Sequence, residues 1–226
     1  MRKIQRLAGI GVMAAATLAL AACGGTAAPA SSPAASAPAA APATAAPAAT
    51  DTGVTTNADV FGPACSQLPQ GDAPGSLNNM GPQPVATAAS TNPLLTTLVT
   101  AVKAVPGLPG TLNNTQGITV FAPYNGAFDA VQKQIGAPAF QGLLKDTNKL
   151  GGLLSYHVVG QRYDAKGLVA AGETTELAGG NLTIGGTADA PTITDGQGNT
   201  AKVLCGNIPT SNATVFVIDR VLMPKS

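Results

Sequence analysis

A stretch near the C-terminus, T-V-F-V-I-D-R-V-L-M-P from Thr214 to Pro224, leaves the chain little choice but to bury it in a sheet. Val215, Val217 and Val221 share one face of an extended segment, and Phe216, Ile218 and Leu222 share the other. A strand apolar on both faces is a central one, covered on both sides. A second stretch, I-T-V-F-A-P-Y-N-G-A-F from Ile118 to Phe128, answers it. Ile118, Val120 and Ala122 alternate with Thr119 and Phe121, the period of two of a strand. Pro123 ends that strand because it has no N–H for a ladder. Asn125 then offers a side-chain oxygen to cap one helical turn, and Phe128 folds back onto the strand. Between the two stretches lies L-L-S-Y-H-V-V, Leu153 to Val159.

The chain has 226 residues, with 12 Lys+Arg against 11 Asp+Glu, 27 Gly and 18 Pro. The Gly and Pro excess predicts one ordinary domain joined to a low-complexity segment. A charge near zero supports neither nucleic-acid binding nor a polybasic membrane patch.

Arg2, Lys3 and Arg6 precede an apolar run, Leu7 to Leu20, that is too short for a comfortable membrane span. The run ends in L-A-A-C, Leu20 to Cys23, which resembles the bacterial lipoprotein signal and implies diacylglycerol on Cys23 after residues 1–22 are removed. The alternative is a plain secretory signal with Cys23 incidental. Residues 23–57 read as a flexible tether rich in Ala, Pro, Ser and Thr, without the apolar content to offset the entropy of ordering. At about 3.1 Å per residue it reaches on the order of 100 Å. Its Ser and Thr are O-glycosylation acceptors or plain spacer. Residues 58–83 read as a polar lead-in arm anchored by Cys65, and 84–226 as the folded domain.

Within that domain Pro84 to Ser90 predicts a short helix. Asn92 is an N-cap and Pro93 suits the first helical position. Leu94, Leu95, Leu98, Val99 and Val102 form an apolar stripe, stopped by Gly107 and Gly110. Phe140, Leu143 and Leu144 repeat the stripe, as do Leu150, Leu153 and Leu154, with Asp146 or Thr147 as cap. Tyr156 to Val159 reads as a strand, and Asp164 caps a turn through Leu168. Short strands follow at Thr174–Leu177, Asn181–Ile184, Thr192–Thr194 and Thr200–Leu204. Gly179-Gly180, Gly185-Gly186 and Asp195-Gly196 supply the turns. Helices early and strands late predict an α+β fold.

Thr119 to Phe128, then Tyr156-His157, then Val215 to Leu222 resemble, in order and separation, the three motifs of a fasciclin-like domain, over roughly Pro84 to Pro224. The family's motifs read T-V-F-A-P-x-N-x-A-F, a Tyr-His pair, and V-x-V-I-D-x-V-L. The resemblance implies a wedge-like β-sandwich with helices packed along one edge, and an adhesion or binding module. It places the chain beside small bacterial lipid-anchored or secreted members. One position departs: Tyr124 stands where the family usually has Ser or Thr, and a phenol cannot reach back to cap the helix, which leaves the cap to Asn125 or weak.

Catalytic chemistry finds little support. The single histidine, His157, has no G-x-S-x-G elbow before it. One His and distant cysteines do not make a zinc site, phosphate-binding glycine loops are absent, and carboxylates are sparse. No catalytic residue, metal or cofactor is expected. His157, among Leu153, Leu154, Val158 and Val159, reads as a neutral imidazole tying buried backbone together, although the family resemblance also implies partner contacts for Tyr156 and His157. Asp219 reads as a hydrogen-bonded structural carboxylate or a contact, and Tyr124 and Tyr163 as the freer aromatics. With Cys23 consumed by lipid, Cys65 and Cys205 are left to form a disulfide in an exported domain. The expected function is a lipid-anchored, monomeric surface protein, facing the extracellular or cell-wall side, that recognises an extracellular protein or glycan without catalysis. Carriage of an envelope lipid or glycolipid is the alternative. An apolar pocket of a few hundred Å³ would favour the carrier and a solid core adhesion.

Overall fold

The apolar alternation of the two motif strands is realised as adjacent parallel strands at the centre of a single sheet. The computed structural model describes residues 53–225; the signal, Cys23 and the tether up to residue 52 lie outside the described residues. Strand β1 is Ile118–Pro123 and β7 is Ala213–Ile218, paired in register from Ile118↔Ala213 to Pro123↔Ile218. With β2 (Val158–Val159), β3 (Glu173–Thr175), β4 (Asn181–Thr187), β5 (Ala190–Thr194) and β6 (Thr200–Pro209), they form a seven-stranded sheet ordered β2-β1-β7-β6-β5-β4-β3. All pairings but β1–β7 are antiparallel. A bridge between Val159 and Glu176 joins the two ends, so the sheet nearly closes on itself. β6 serves both halves: Thr200–Lys202 pairs with β5, and Val203–Pro209 with β7 through two register shifts.

The helices are α1 (Leu77–Met80), α2 (Val85–Thr91), α3 (Thr96–Ala104), α4 (Leu108–Asn114), α5 (Asn125–Ile135), α6 (Ala137–Lys145), α7 (Thr147–Ser155) and α8 (Ala165–Ala171). The two faces of β1 and β7 meet two separate cores. Ile118, Val120, Ala122, Val215 and Val217 face the helices and pack with Leu95, Leu98, Phe128, Phe140 and Leu150. Phe121, Phe216 and Ile218 turn inside the curled sheet, with Leu168, Leu182, Ile193 and Val203. Phe121 and Phe216 are fully buried with ring centroids 6.0 Å apart. Truncating either to Ala costs about 3–5 kcal/mol. The fold is α+β, with helices on one side of a sheet that wraps its own core.

Several local expectations change. The closing strand stops at Ile218, where residues 219–220 bend, yet Val221 and Leu222 stay on the cores their alternation predicts. Gly110 lies inside α4, a helix that the glycine pair concealed, and Gly107 starts it at φ 81°. Gly185 and Gly186 are strand residues opposite Thr192 and Pro191; the hairpin turns at Ala188-Asp189. β6 runs on to Pro209, so Cys205 sits within the strand. Tyr156 and His157 precede β2 in the turn that closes α7. The helix after Pro123 is eleven residues long, not one turn. Asn125 does not cap it, because its carboxamide is taken by another segment: Oδ1 accepts from the Thr97 N–H (3.0 Å) and the Thr96 hydroxyl (3.1 Å), and Nδ2 donates to the Pro93 carbonyl (3.0 Å). Tyr124 is the N-cap and supplies no side-chain bond. The lead-in at 58–83 is not a loose arm with one anchor. Ala64, Leu68 and Met80 are buried, and Phe61 exchanges two backbone hydrogen bonds with Gly206 (3.3 and 2.8 Å).

Candidate functional site

Leu150 and Leu154 bury α7 against the sheet, and Asp146 starts that helix by accepting from the Lys149 N–H at 3.1 Å. The helix therefore delivers the Tyr-His pair to a fixed place beneath the C-terminal segment. His157 is 3% exposed. Its Nε2 lies 2.9 Å from the Leu222 nitrogen and its Nδ1 lies 2.8 Å from the Leu153 oxygen. A backbone amide only donates, so Nε2 accepts and the proton sits on Nδ1, donating to Leu153. Burial pulls the imidazole pKa from 6.5 to about 4, with the Leu153 carbonyl and the charge of Asp195 opposing. The ring is a neutral bridge between the end of α7 and the chain terminus.

Tyr156, 2% exposed, completes the clasp from the other side. Its phenol oxygen accepts from the Gly196 N–H at 2.7 Å, and burial raises the phenol pKa. Next to Gly196, buried Asp195 accepts from the Gln197 and Asn199 amides (3.0 and 2.8 Å) and from the Met223 N–H (2.9 Å). Two successive amides of the C-terminal segment, Leu222 and Met223, are thus held by His157 and Asp195. Glu176 does the same locally, taking the Ala178 and Gly180 amides inside its turn. In this geometry Tyr156 and His157 have no free surface for a partner. Asp219 is tied as well: it accepts from the Lys202 N–H (2.8 Å) and donates its own N–H to the Lys202 carbonyl (3.0 Å), prolonging the β6–β7 ladder past Ile218. Tyr124 is half-buried, its ring folded so closely over Gly126 that an added Cβ there would collide with it. Tyr163 packs half-buried on the inner core.

Cys65 and Cys205 are joined by a disulfide with Cα atoms 5.0 Å apart. It fastens the 3-10 turn Pro63–Gln67 to the middle of β6. Two asparagines hold the same region. Asn207, at φ 57°, accepts from the Ala165 N–H (2.8 Å) and donates to the Asp59 carbonyl (3.1 Å). Asn212, 1% exposed, accepts from the Val85 N–H (2.9 Å) and donates to the Leu112 and Thr115 carbonyls (2.7 and 2.6 Å). A buried side chain bonded to two other segments is no glycan acceptor, although it stands in an N-x-T sequon.

Between the helices and β1 there is a narrow apolar gap of about 60 Å³, bounded by Val85, Leu98, Val102, Leu112, Val120 and Leu154. Among the described residues no group of three or more His, Cys, Asp or Glu is arranged to hold a metal.

The three-motif arrangement and this clasp lead to comparison with known proteins. The sequence profile of the Fasciclin domain matches residues 93–224. The chain belongs to the fasciclin domain family. It is 40% identical to the cell surface glycolipoprotein MPB83 of Mycobacterium bovis over 175 residues, covering 74% of this chain and 73% of the relative. The immunogenic protein MPB70 of the same species is 37% identical over 177 residues, 74% of this chain and 83% of that protein. The fold matches a FAS1 domain pair from the insect cell adhesion molecule fasciclin I with a TM-score of 0.54 at 17% identity; the match covers 62% of this chain and spans about half of that one, 51%. Kinship to a cell surface glycolipoprotein within the fasciclin domain family supports a cell-surface protein here.

Proposed function

We propose that this fasciclin-domain protein recognises an extracellular protein or glycan through its outer surface, as a monomer held to the membrane by lipid on Cys23. The observation that carries this reading is how little free interior the helix–sheet core encloses among the described residues. The gap between helices and sheet, about 60 Å³, is well under the several hundred Å³ of ligand sites and under the roughly 150 Å³ of an engineered cavity that takes up benzene. A lipid chain has little room there, which favours surface recognition over carriage. The buried, fully engaged His157 and Tyr156 likewise leave no polar reaction centre at the motif. What remains is a rigid, disulfide-tied body whose contacts are external.

Relatives that carry the words glycolipoprotein in their names support both a lipid and a sugar on this chain. The residues that fit are Cys23 for the lipid and the Ser and Thr of residues 24–52 for the sugar; the tether expected up to residue 57 is shorter, because Thr55 is buried and the Gly53 carbonyl is bonded by Thr214. A long tether presenting many copies gives avidity even to a weak contact. The test is a binding screen of the purified protein against immobilised matrix proteins and glycans, in parallel with vesicles of envelope lipid. Saturable binding to a protein or glycan is expected. Extraction of lipid from vesicles into a soluble stoichiometric complex would overturn the reading in favour of the carrier.

A further inference from the structure

Arg162 lines an open depression of about 680 Å³ together with Thr55, Thr56, Asn57, Thr210 and Ser211. The guanidinium is held rigidly. Nε donates to the Thr214 hydroxyl at 3.0 Å, and Nη2 donates to the Thr210 and Ala213 carbonyls at 3.0 and 2.8 Å. Those are neutral acceptors. Among the described residues Nη1 has no acceptor and Arg162 has no carboxylate partner. A half-buried cation that has lost part of its hydration and found no counter-charge is a ready partner for an anion. The fixed planar fork makes it a directional one.

A second, independent observation points into the same place. Thr55 is 6% exposed, and its Oγ1 is the one buried side-chain polar atom among the described residues without a hydrogen-bond partner. Native proteins seldom leave such a group unpaired. Thr55 lines the depression, and a change of χ1 rotamer moves its Oγ1 to another staggered position there. The rest of the lining mixes polar and apolar groups: Asn57, whose Nδ2 donates to Asn78 (2.7 Å), Thr210, whose hydroxyl donates to the Ala213 carbonyl (2.8 Å), and Ser211 stand beside Ala58, Gly81, Pro209 and Val54, which is 59% exposed. The neighbouring carboxylate, Asp59, is engaged by the Thr56 N–H (2.8 Å) and hydroxyl (2.7 Å).

We propose that this depression binds an acidic sugar, a uronic acid or a sugar phosphate, with the anionic group on Arg162 and the sugar hydroxyls on Ser211 and Thr55. The proposal rests on the domain being a recognition module and names the chemistry that it recognises. The fixed cation, the Ser211 hydroxyl and the apolar surface of Val54, Ala58 and Pro209 match the anionic, hydroxyl and C–H parts of such a sugar.

The test is an amide-resolved NMR titration of the full chain, exported with Cys23→Ala so that it is soluble, using glucuronate, glucose 6-phosphate and glucose. Glucuronate or glucose 6-phosphate, or both, should move the amides of Val54, Thr55, Thr56 and Ser211, and the arm that binds identifies the anionic group. Glucose should bind about tenfold more weakly or worse, because it lacks the charge-assisted bond. Arg162→Gln should lose the effect. Because Arg162 also satisfies carbonyls, Thr55→Val serves as the second variant: it removes only an unpartnered hydroxyl, so its unfolding midpoint should hold while acidic-sugar binding weakens several-fold. Equal shifts with glucose, or undiminished binding in both variants, overturns the proposal. Asp51 stands two positions before Gly53, outside the described residues. Acidic-sugar binding that appears only in Asp51→Asn would make that carboxylate the site's own occupant and overturn the proposal for the native chain. A failed screen against matrix proteins and glycans, with the titration intact, would sink the broader recognition role and leave this site standing.

Discussion

Lowering the pH should unlatch the C-terminal segment, and the size of the effect follows from one residue. His157 is neutral in the folded protein because protonation would place a cation in the core and turn Nε2 from acceptor to donor against the Leu222 N–H. Its pKa is about 4 folded and about 6.5 in the unfolded chain. Between those values the unfolded state binds more protons than the native state, so stability falls as pH falls. Above pH of about 6.5 His157 contributes no slope, and below about 4 the loss is complete. At about 1.4 kcal/mol per pH unit, the loss across that window is about 3 kcal/mol. This is a large share of a domain stability of roughly 5–15 kcal/mol. The assay is urea unfolding at a series of pH values, for the native protein and for His157→Gln, which keeps a donor and an acceptor without titrating. Because the chain has one histidine, the difference between the two curves isolates it from the carboxylates. The native curve should fall by about 3 kcal/mol relative to the variant between pH 7 and pH 4. Parallel curves, or a folded-state imidazole that titrates near 6.5 by NMR, would refute the reasoning.

Three further outcomes are expected. Reducing the Cys65–Cys205 bond, which closes 140 residues, should lower stability by at most about 5 kcal/mol on the chain-entropy model; unreduced denatured protein should take up no alkylating reagent on these two cysteines, and two equivalents after reduction, by mass. Because Phe61, Ala64 and Leu68 pack independently of the bond, proteolysis of the reduced protein should not concentrate in residues 58–83. Asn212→Ala strands the Val85 amide and the Leu112 and Thr115 carbonyls and should cost about 2–4 kcal/mol in chemical unfolding, against less than about 1 for the exposed Asn181→Ala. Cys23→Ala should move the protein out of the detergent phase on cell fractionation, since two acyl chains anchor stably where one is marginal; unchanged partitioning would count against lipid on Cys23.

Much of the fold was legible in the order of residues because it depends on local spacing. The alternation at 118–122 and 214–218 assigns each side chain to its core without reference to any partner, since successive strand residues must face opposite ways. Asn92, Asp146 and Asp164 announce helix starts because a cap's acceptor and donor lie two or three residues apart. A neutral, backbone-tying His157 was likewise foreseeable from its apolar neighbours. Its actual partner was not, because Leu222 is 65 residues away. Local pattern misled where long-range packing outweighed propensity. Gly110 reads as a stop, yet α4 continues through it because Leu112 is buried and Asn212 takes its carbonyl across a separation of 100 residues. Asn125 looks like a cap until the segment from Pro93 to Thr97 is brought against it. Arg162 and Thr55 carry no motif at all; only the crossing of residues 53–57 over the β6–β7 turn puts a neutral-bonded guanidinium and an orphan hydroxyl into one depression. Strand faces and caps are set by bonds that span a few residues, whereas the partners of a buried polar side chain are chosen by which distant backbone groups the closed sheet leaves within about 3 Å.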